Sequence, residues 1–179
     1  MKQTILNSAA KTCDLDAFPT DLLLEYLDCL LPHIASVIYD SLASGIFPSS
    51  FKTALVKPLL KTPSLDPNDL KNDRPVSNLP FLSKITERIV LSRLNDHLIS
   101  NKLFSPLQSA YKLHHSTDTA LLKIVNDLLT ALDNDKICIL TLLDLSTAFD
   151  TIDRNILLHR LKHTFGISDS ALSWFRSYL

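Results

Sequence analysis

An aliphatic run that ends abruptly in an acid constrains this chain more than any other feature. Residues 137–143 read Ile-Cys-Ile-Leu-Thr-Leu-Leu, Asp144 follows at once, and Phe149 and Asp150 lie just beyond. A short apolar run entered through the Asn134-Asp135 turn predicts a buried strand. A carboxylate at the end of such a strand keeps a fixed position while facing a cleft. Divalent cations used in phosphoryl transfer are held that way, by two or three rigid acids. The same pattern also serves as a structural cap or turn, its more common use, and both readings stand at this point. Asp150 is a candidate second acid, and Asp153 is most simply a helix N-cap.

The rest of the chain is punctuated mainly by proline. Glycine occurs only at Gly45 and Gly166, each after a helical pattern, and each is expected to end a helix. The Gly-rich phosphate loops of P-loop and Rossmann proteins are therefore absent. Thr20-Asp21 opens a helix to about Leu30, Pro32 breaks or restarts it, and a second helix reaches Ala43. Leu55-Val56 predicts a short strand. Pro58, Pro63, Pro67, Pro75 and Pro80 mark an extended loop or irregular hairpin over 62–80. Leu82, Ile85, Ile89, Leu94 and Leu98 predict a helix from Phe81 to Ser100. Ser116 opens another, with Leu121, Ile124, Val125, Leu128 and Leu132 as its stripe. Asp153 and Ser168 open the last two. The apolar end, Ala171–Leu179, carries no stop signal, which predicts an incomplete domain.

Charge is unevenly spread. Residues 52–123 hold eleven Lys/Arg against six Asp/Glu, a balance of +5, while residues 1–51 carry −4 and residues 124–179 carry −2. A basic middle is compatible with a nucleic-acid surface or with a solvated face. Cys13, Cys29 and Cys138 form no Cys-x-x-Cys pair, which argues against a zinc ribbon or a disulfide framework. Cys138 is expected in the core. The apolar segment 22–39 contains Glu25, Asp28, Pro32 and His33, so a buried helix pair is expected and not a membrane span. An intracellular setting, cytoplasm or nucleus, fits best.

Individual residues allow more than one use. Arg74 precedes Pro75 and is held extended, which suits a guanidinium aimed at phosphate oxygens or a surface arginine equally well. Lys57 and Lys61 are similar. His114-His115 lacks a third metal ligand nearby, and Trp174 is expected in the core rather than as a base-stacking platform.

These signals recur in one order. Asn72-Asp-Arg-Pro-Val-Ser-Asn-Leu-Pro-Phe-Leu-Ser-Lys84, Gln108-Ser-Ala-Tyr-Lys-Leu-His-His-Ser-Thr-Asp-Thr-Ala-Leu-Leu122 and Leu143-Asp-Leu-Ser-Thr-Ala-Phe-Asp-Thr-Ile152 resemble successive blocks of reverse transcriptases from non-LTR (LINE-type) retrotransposons. Ala171–Leu179 resembles the helix after them, and Lys11–Asp16 fits the segment before them. The resemblance implies an α+β fold: a mostly helical fingers region plus the first strand and helices of a right-hand polymerase palm, in an incomplete domain. Residues 1–51 are then a helical lead-in, 52–133 the fingers, and 134–179 the start of the palm. By that resemblance Asp144 is the catalytic carboxylate and ligates Mg²⁺ together with the Leu145 carbonyl, two ions being expected only in a complete domain. Arg74, Lys61, Thr147, Ala148 and Phe149 contact the incoming dNTP, with Phe149 under its sugar. Gln108 and Lys112 lie near the template. The implied partners are an RNA template, a DNA primer and a dNTP, with no membrane and no stable small-molecule cofactor.

The departures are specific. The Phe/Tyr-Ala-Asp-Asp tetrapeptide that carries the family's other catalytic acids occurs nowhere in the 179 residues. Asp73 stands where an aromatic is usual, and Lys112 where arginine is common. The chain by itself is therefore expected to be inactive. The alternative function is a non-catalytic retroelement remnant or RNA-binding module.

Overall fold

In the computed structural model, which describes residues 1–8, 11–144 and 151–179, the N-terminal apolar region breaks at Tyr26 and not at Pro32. After α1 (Lys2–Leu6), α2 spans Thr20–Glu25 and α3 spans Leu27–Ser44. Pro32 lies inside α3. There it withholds one amide and crowds the Asp28 carbonyl, at a cost of about 3 kcal/mol. Leu27, Ile34 and Ile38 of the same helix are buried in the core. Each contributes roughly 1.5–3 kcal/mol by leaving water, so packing outweighs the proline. Gly45 ends α3 in the left-handed region, as expected from sequence.

β1 (Leu55–Leu60) and β2 (Asp73–Asn78) form an antiparallel hairpin, and α4 (Phe81–Ser100) follows it. Two prolines set the hairpin's register, because Pro58 lies opposite Pro75. A hydrogen-bonded pair needs an N–H from each residue, so facing prolines must occupy a non-bonded pair. Prolines at those positions also blunt both outer edges against further strands. α4 buries Phe81, Ile85 and Ile89 together with Ser83 and Thr86. The Ser83 hydroxyl donates to the Phe51 carbonyl at 2.9 Å, and that of Thr86 to the Leu82 carbonyl at 2.8 Å. Local partners thus let small polar side chains line the core.

α5 spans Thr117–Asp133, α6 Arg154–His163 and α7 Asp169–Tyr178. Ser116 and Thr119 close a reciprocal capping box on α5. The described chain forms two compact units, one of Met1–His97 with Arg154–Leu179, the other of Leu98–Asp153.

The first unit holds the core: Ile5, Leu23, Leu27, Ile34, Ile38, Phe81, Ile85 and Ile89. An aromatic group is built within the same unit where α7 meets the end of α3. Trp174, 2% exposed, stacks on Tyr178 at 5.3 Å and meets Phe47 edge-on at 5.2 Å. Its indole N–H donates to the Ser41 hydroxyl at 3.1 Å, and that hydroxyl donates to the Ile46 carbonyl at 2.6 Å. Trp174 is core, as expected.

The second unit corrects the sequence on one element. Residues 137–143 form neither strand nor helix, and Ile137 and Leu142 are 94% and 83% exposed. Cys138 is only half-buried. A strand exists through backbone pairing with a neighbour, and among the described residues the sheet consists of β1 and β2 alone. The apolar stripe of α5 is likewise uncovered, with no buried residue. Among the described residues no helix is long and apolar enough to cross a membrane.

Candidate nucleotide-contact site

The hairpin register puts cations on one face. Leu59 lies opposite Arg74 and Lys57 opposite Val76, and the Lys61 amide extends the ladder to the Asn72 carbonyl at 2.8 Å. Side chains alternate along a strand, so Lys57, Lys61 and Arg74 share a face. All three are exposed. Lys57 is drawn toward Asp14 at 3.7 Å, a pairing open to solvent on both sides. The Lys61 ammonium donates to the Lys71 carbonyl, which leans it onto its own loop. The Arg74 side chain makes no hydrogen bond or ion pair among the described residues. It is thus the cation of this face whose fork remains open to a ligand.

The base of the hairpin is fastened by residues whose role sequence reading missed. Asp16 accepts from the Cys13 amide with one carboxylate oxygen and from the Phe81 amide with the other, both at 2.7 Å. Phe81 is the first residue of α4, so Asp16 supplies a partner to an amide that has none in its own helix. A carboxylate there also complements the positive helix end. At the last residue of β2, the Asn78 carbonyl accepts from the Cys13 thiol at 3.5 Å, and its side-chain oxygen accepts from Lys84 at 2.7 Å. The only local signal was an Asp closing a turn on Cys13. The contact to Phe81 bridges 65 positions and leaves no trace in any sequence window.

The remaining candidates belong to the second unit. The Gln108 side-chain amide donates to the Ala110 carbonyl at 3.2 Å. The Lys112 ammonium sits 6.0 Å from the centre of the Phe104 ring. Asp144 is exposed and follows the unpaired run described above. Leu145, Thr147, Ala148 and Phe149, as well as Asp150, lie outside the described residues. Among the described residues no group of three or more His, Cys, Asp or Glu side chains could hold a metal ion.

Comparison with known proteins gives this geometry its context. The family described as "Reverse transcriptase (RNA-dependent DNA polymerase)" matches residues 61–179, a span that contains Lys61, Arg74, Gln108, Lys112 and Asp144. The chain belongs to that reverse transcriptase family, in its non-LTR, LINE-type retrotransposon branch. The RNA-directed DNA polymerase from mobile element jockey of Drosophila melanogaster is 33% identical over 138 residues, covering 77% of this chain and 15% of that protein. Its counterpart from Drosophila funebris is 31% identical over 135 residues, covering 75% and 15%. The probable RNA-directed DNA polymerase from transposon BS of Drosophila melanogaster is 28% identical over 131 residues, covering 73% and 14%. The chain spans about 15% of the length of the curated relatives it matches.

Proposed function

We propose that this chain supplies the incoming-nucleotide face and the first catalytic carboxylate of an RNA-directed DNA polymerase. Residues 1–51 form its helical lead-in, 52–133 its fingers and 134–179 the opening of its right-hand palm. The observation that carries this reading is the common face of Lys61 and Arg74 on a proline-locked hairpin. The reaction is attack by a primer 3′-hydroxyl on the α-phosphate of a dNTP, with pyrophosphate leaving. Arg74 grips triphosphate oxygens through its planar fork, and Lys61 adds a point charge beside it. Such contacts position the nucleotide and offset its charge, which is most of what a protein contributes to phosphoryl transfer. Thr147 and Ala148 offer amides to the triphosphate, and Phe149 lies under the sugar. Gln108 and Lys112 lie along an RNA template that is paired with a DNA primer.

Asp144, with the Leu145 carbonyl, gives one set of ligands toward divalent metal. The family's other two acids belong to a tetrapeptide that these 179 residues do not contain. The chain alone therefore binds nucleotide without incorporating it. Its free cysteines suit an intracellular setting, cytoplasm or nucleus.

Titration of the 179-residue chain with Mg²⁺-dTTP and with inorganic tripolyphosphate tests the reading. Arg74→Ala is expected to weaken both by about tenfold or more, equal to about 1.4 kcal/mol, with an unchanged melting temperature. Unchanged affinity in the Lys61→Ala/Arg74→Ala pair would sink the proposal. No template-dependent incorporation is expected from the wild-type chain on a primed RNA.

A further inference from the structure

The apolar run before Asp144 leaves its backbone bonding capacity unused. Residues 137–144 contain no helix, turn or bend. Among the described residues, their amides and carbonyls find no hydrogen-bond partner. Ile139 and Leu143 are 89% and 88% exposed. Within the second unit the run lies beside α5, where the half-buried Cys138 directs its thiol to the Leu128 carbonyl at 4.0 Å. The helix thus backs part of one face and leaves the backbone edges bare.

Three observations select what pairs with those edges. The chain's own hairpin is a poor partner, because Pro58 and Pro75 face each other and blunt both of its outer edges. Secondly, Ile137-Cys-Ile-Leu-Thr-Leu-Leu143 holds no proline, glycine or charge, so every residue can join a ladder. Thirdly, opposite charges bracket the run at equal distances from Leu140, Lys136 before it and Asp144 after it. Both side chains are exposed and neither makes an ion pair among the described residues. Two identical runs paired antiparallel about Leu140 set each Lys136 opposite the partner's Asp144. A parallel pair in register sets lysine on lysine and aspartate on aspartate, which repels. A slip of the antiparallel register loses both ion pairs.

From this we infer that residues 137–143 form a symmetric antiparallel strand pair with the same run of a second copy of this chain, closed at each end by Lys136 and the partner's Asp144. A strand pair alone is marginal in water, and here the apolar stripe of α5 backs each run. The same register sets Cys138 opposite the partner's Leu142. Pairing engages Asp144, so it competes with the metal role proposed above and does not depend on it. Neither Lys61 nor Arg74 takes part.

Sedimentation velocity of the 179-residue chain over a dilution series should show a monomer–dimer equilibrium. Lys136→Asp and Asp144→Lys each set like charges opposite one another at both ends, and each should raise the dissociation constant about tenfold or more. The exchange Lys136→Asp/Asp144→Lys should restore the dimer. In a Cys29→Ser background, Leu142→Cys places a thiol opposite the partner's Cys138, so oxidation with diamide should give a covalent dimer, while Leu143→Cys should not. A wild-type chain that stays monomeric overturns the proposal. So does an exchange variant no better than the single variants, or cross-linking from position 143 as readily as from 142. Amide hydrogen exchange of the wild-type chain needs no variant, and protection of 137–143 should rise with protein concentration. Protection at every concentration means that the run is covered within its own chain, and growth beyond a dimer means an open stack of strands; either overturns the pair.

Discussion

Asp16 accepts the amide proton of Phe81 at 2.7 Å across 65 positions of sequence. Its other oxygen takes the Cys13 amide at the same distance. One carboxylate therefore fastens the segment before the hairpin to the helix after it. Arg74 on β2 and Lys61 just past the end of β1 lie between these two anchors, so the anchoring frames the face that carries them.

Removing that carboxylate should be costly. Cys13 and Phe81 are both buried, and Asp16→Ala leaves their amides without partners. The expected loss is about 2–4 kcal/mol, read from urea unfolding, since each stranded buried donor costs about 1–3 kcal/mol. Asp16→Asn retains one acceptor oxygen and should lose about half as much. An unchanged midpoint for Asp16→Ala would mean that both amides reach water.

Gly45 is required twice over. Its φ of +69° lies in the left-handed region, and a Cβ there would approach the Ser173 Cβ to 2.8 Å and the Ser170 carbonyl oxygen to 2.9 Å. The second obstacle is backbone and cannot swing away. Gly45→Ala should destabilise the chain by about 2 kcal/mol or more, measured as a lowered thermal midpoint. Gly166 has a similar φ but open space around it, so Gly166→Ala should cost less.

Tyr178 makes stability depend on alkaline pH. Burial, together with its hydrogen bond to Glu87 at 2.8 Å and that residue's negative charge, pushes its phenol up to about 12 from the usual 10.0. The folded state thus holds this proton more tightly than the unfolded state. The stabilisation is fully present below pH 10.0 and is lost as pH rises through about 12. Tyr178→Phe should flatten the fall in stability across that window. Identical slopes for the two proteins between those pH values would refute the link.

Elements whose determinants are local were legible in the sequence. The helix Phe81–Ser100, the Ser116 start of α5 and the left-handed cap at Gly45 follow from apolar spacing, capping chemistry and glycine's φ. The proline-rich stretch was legible only as an extended loop or irregular hairpin, and the register that brings Lys61 and Arg74 to one face depends on Pro58 meeting Pro75. Family membership was also legible, because ordered blocks carry it without reference to distance.

Tertiary structure decided what depends on partners remote in sequence. The aliphatic run before Asp144 has the composition of a strand, yet a strand needs a neighbour's amides and carbonyls, and none pairs with it among the described residues. Pro32 marks a break in sequence, but the core contacts of Leu27, Ile34 and Ile38 hold the helix through it. Residue spacing reports periodicity along one element. Only packing determines which faces meet, which polar groups find partners, and which charges are left free to bind.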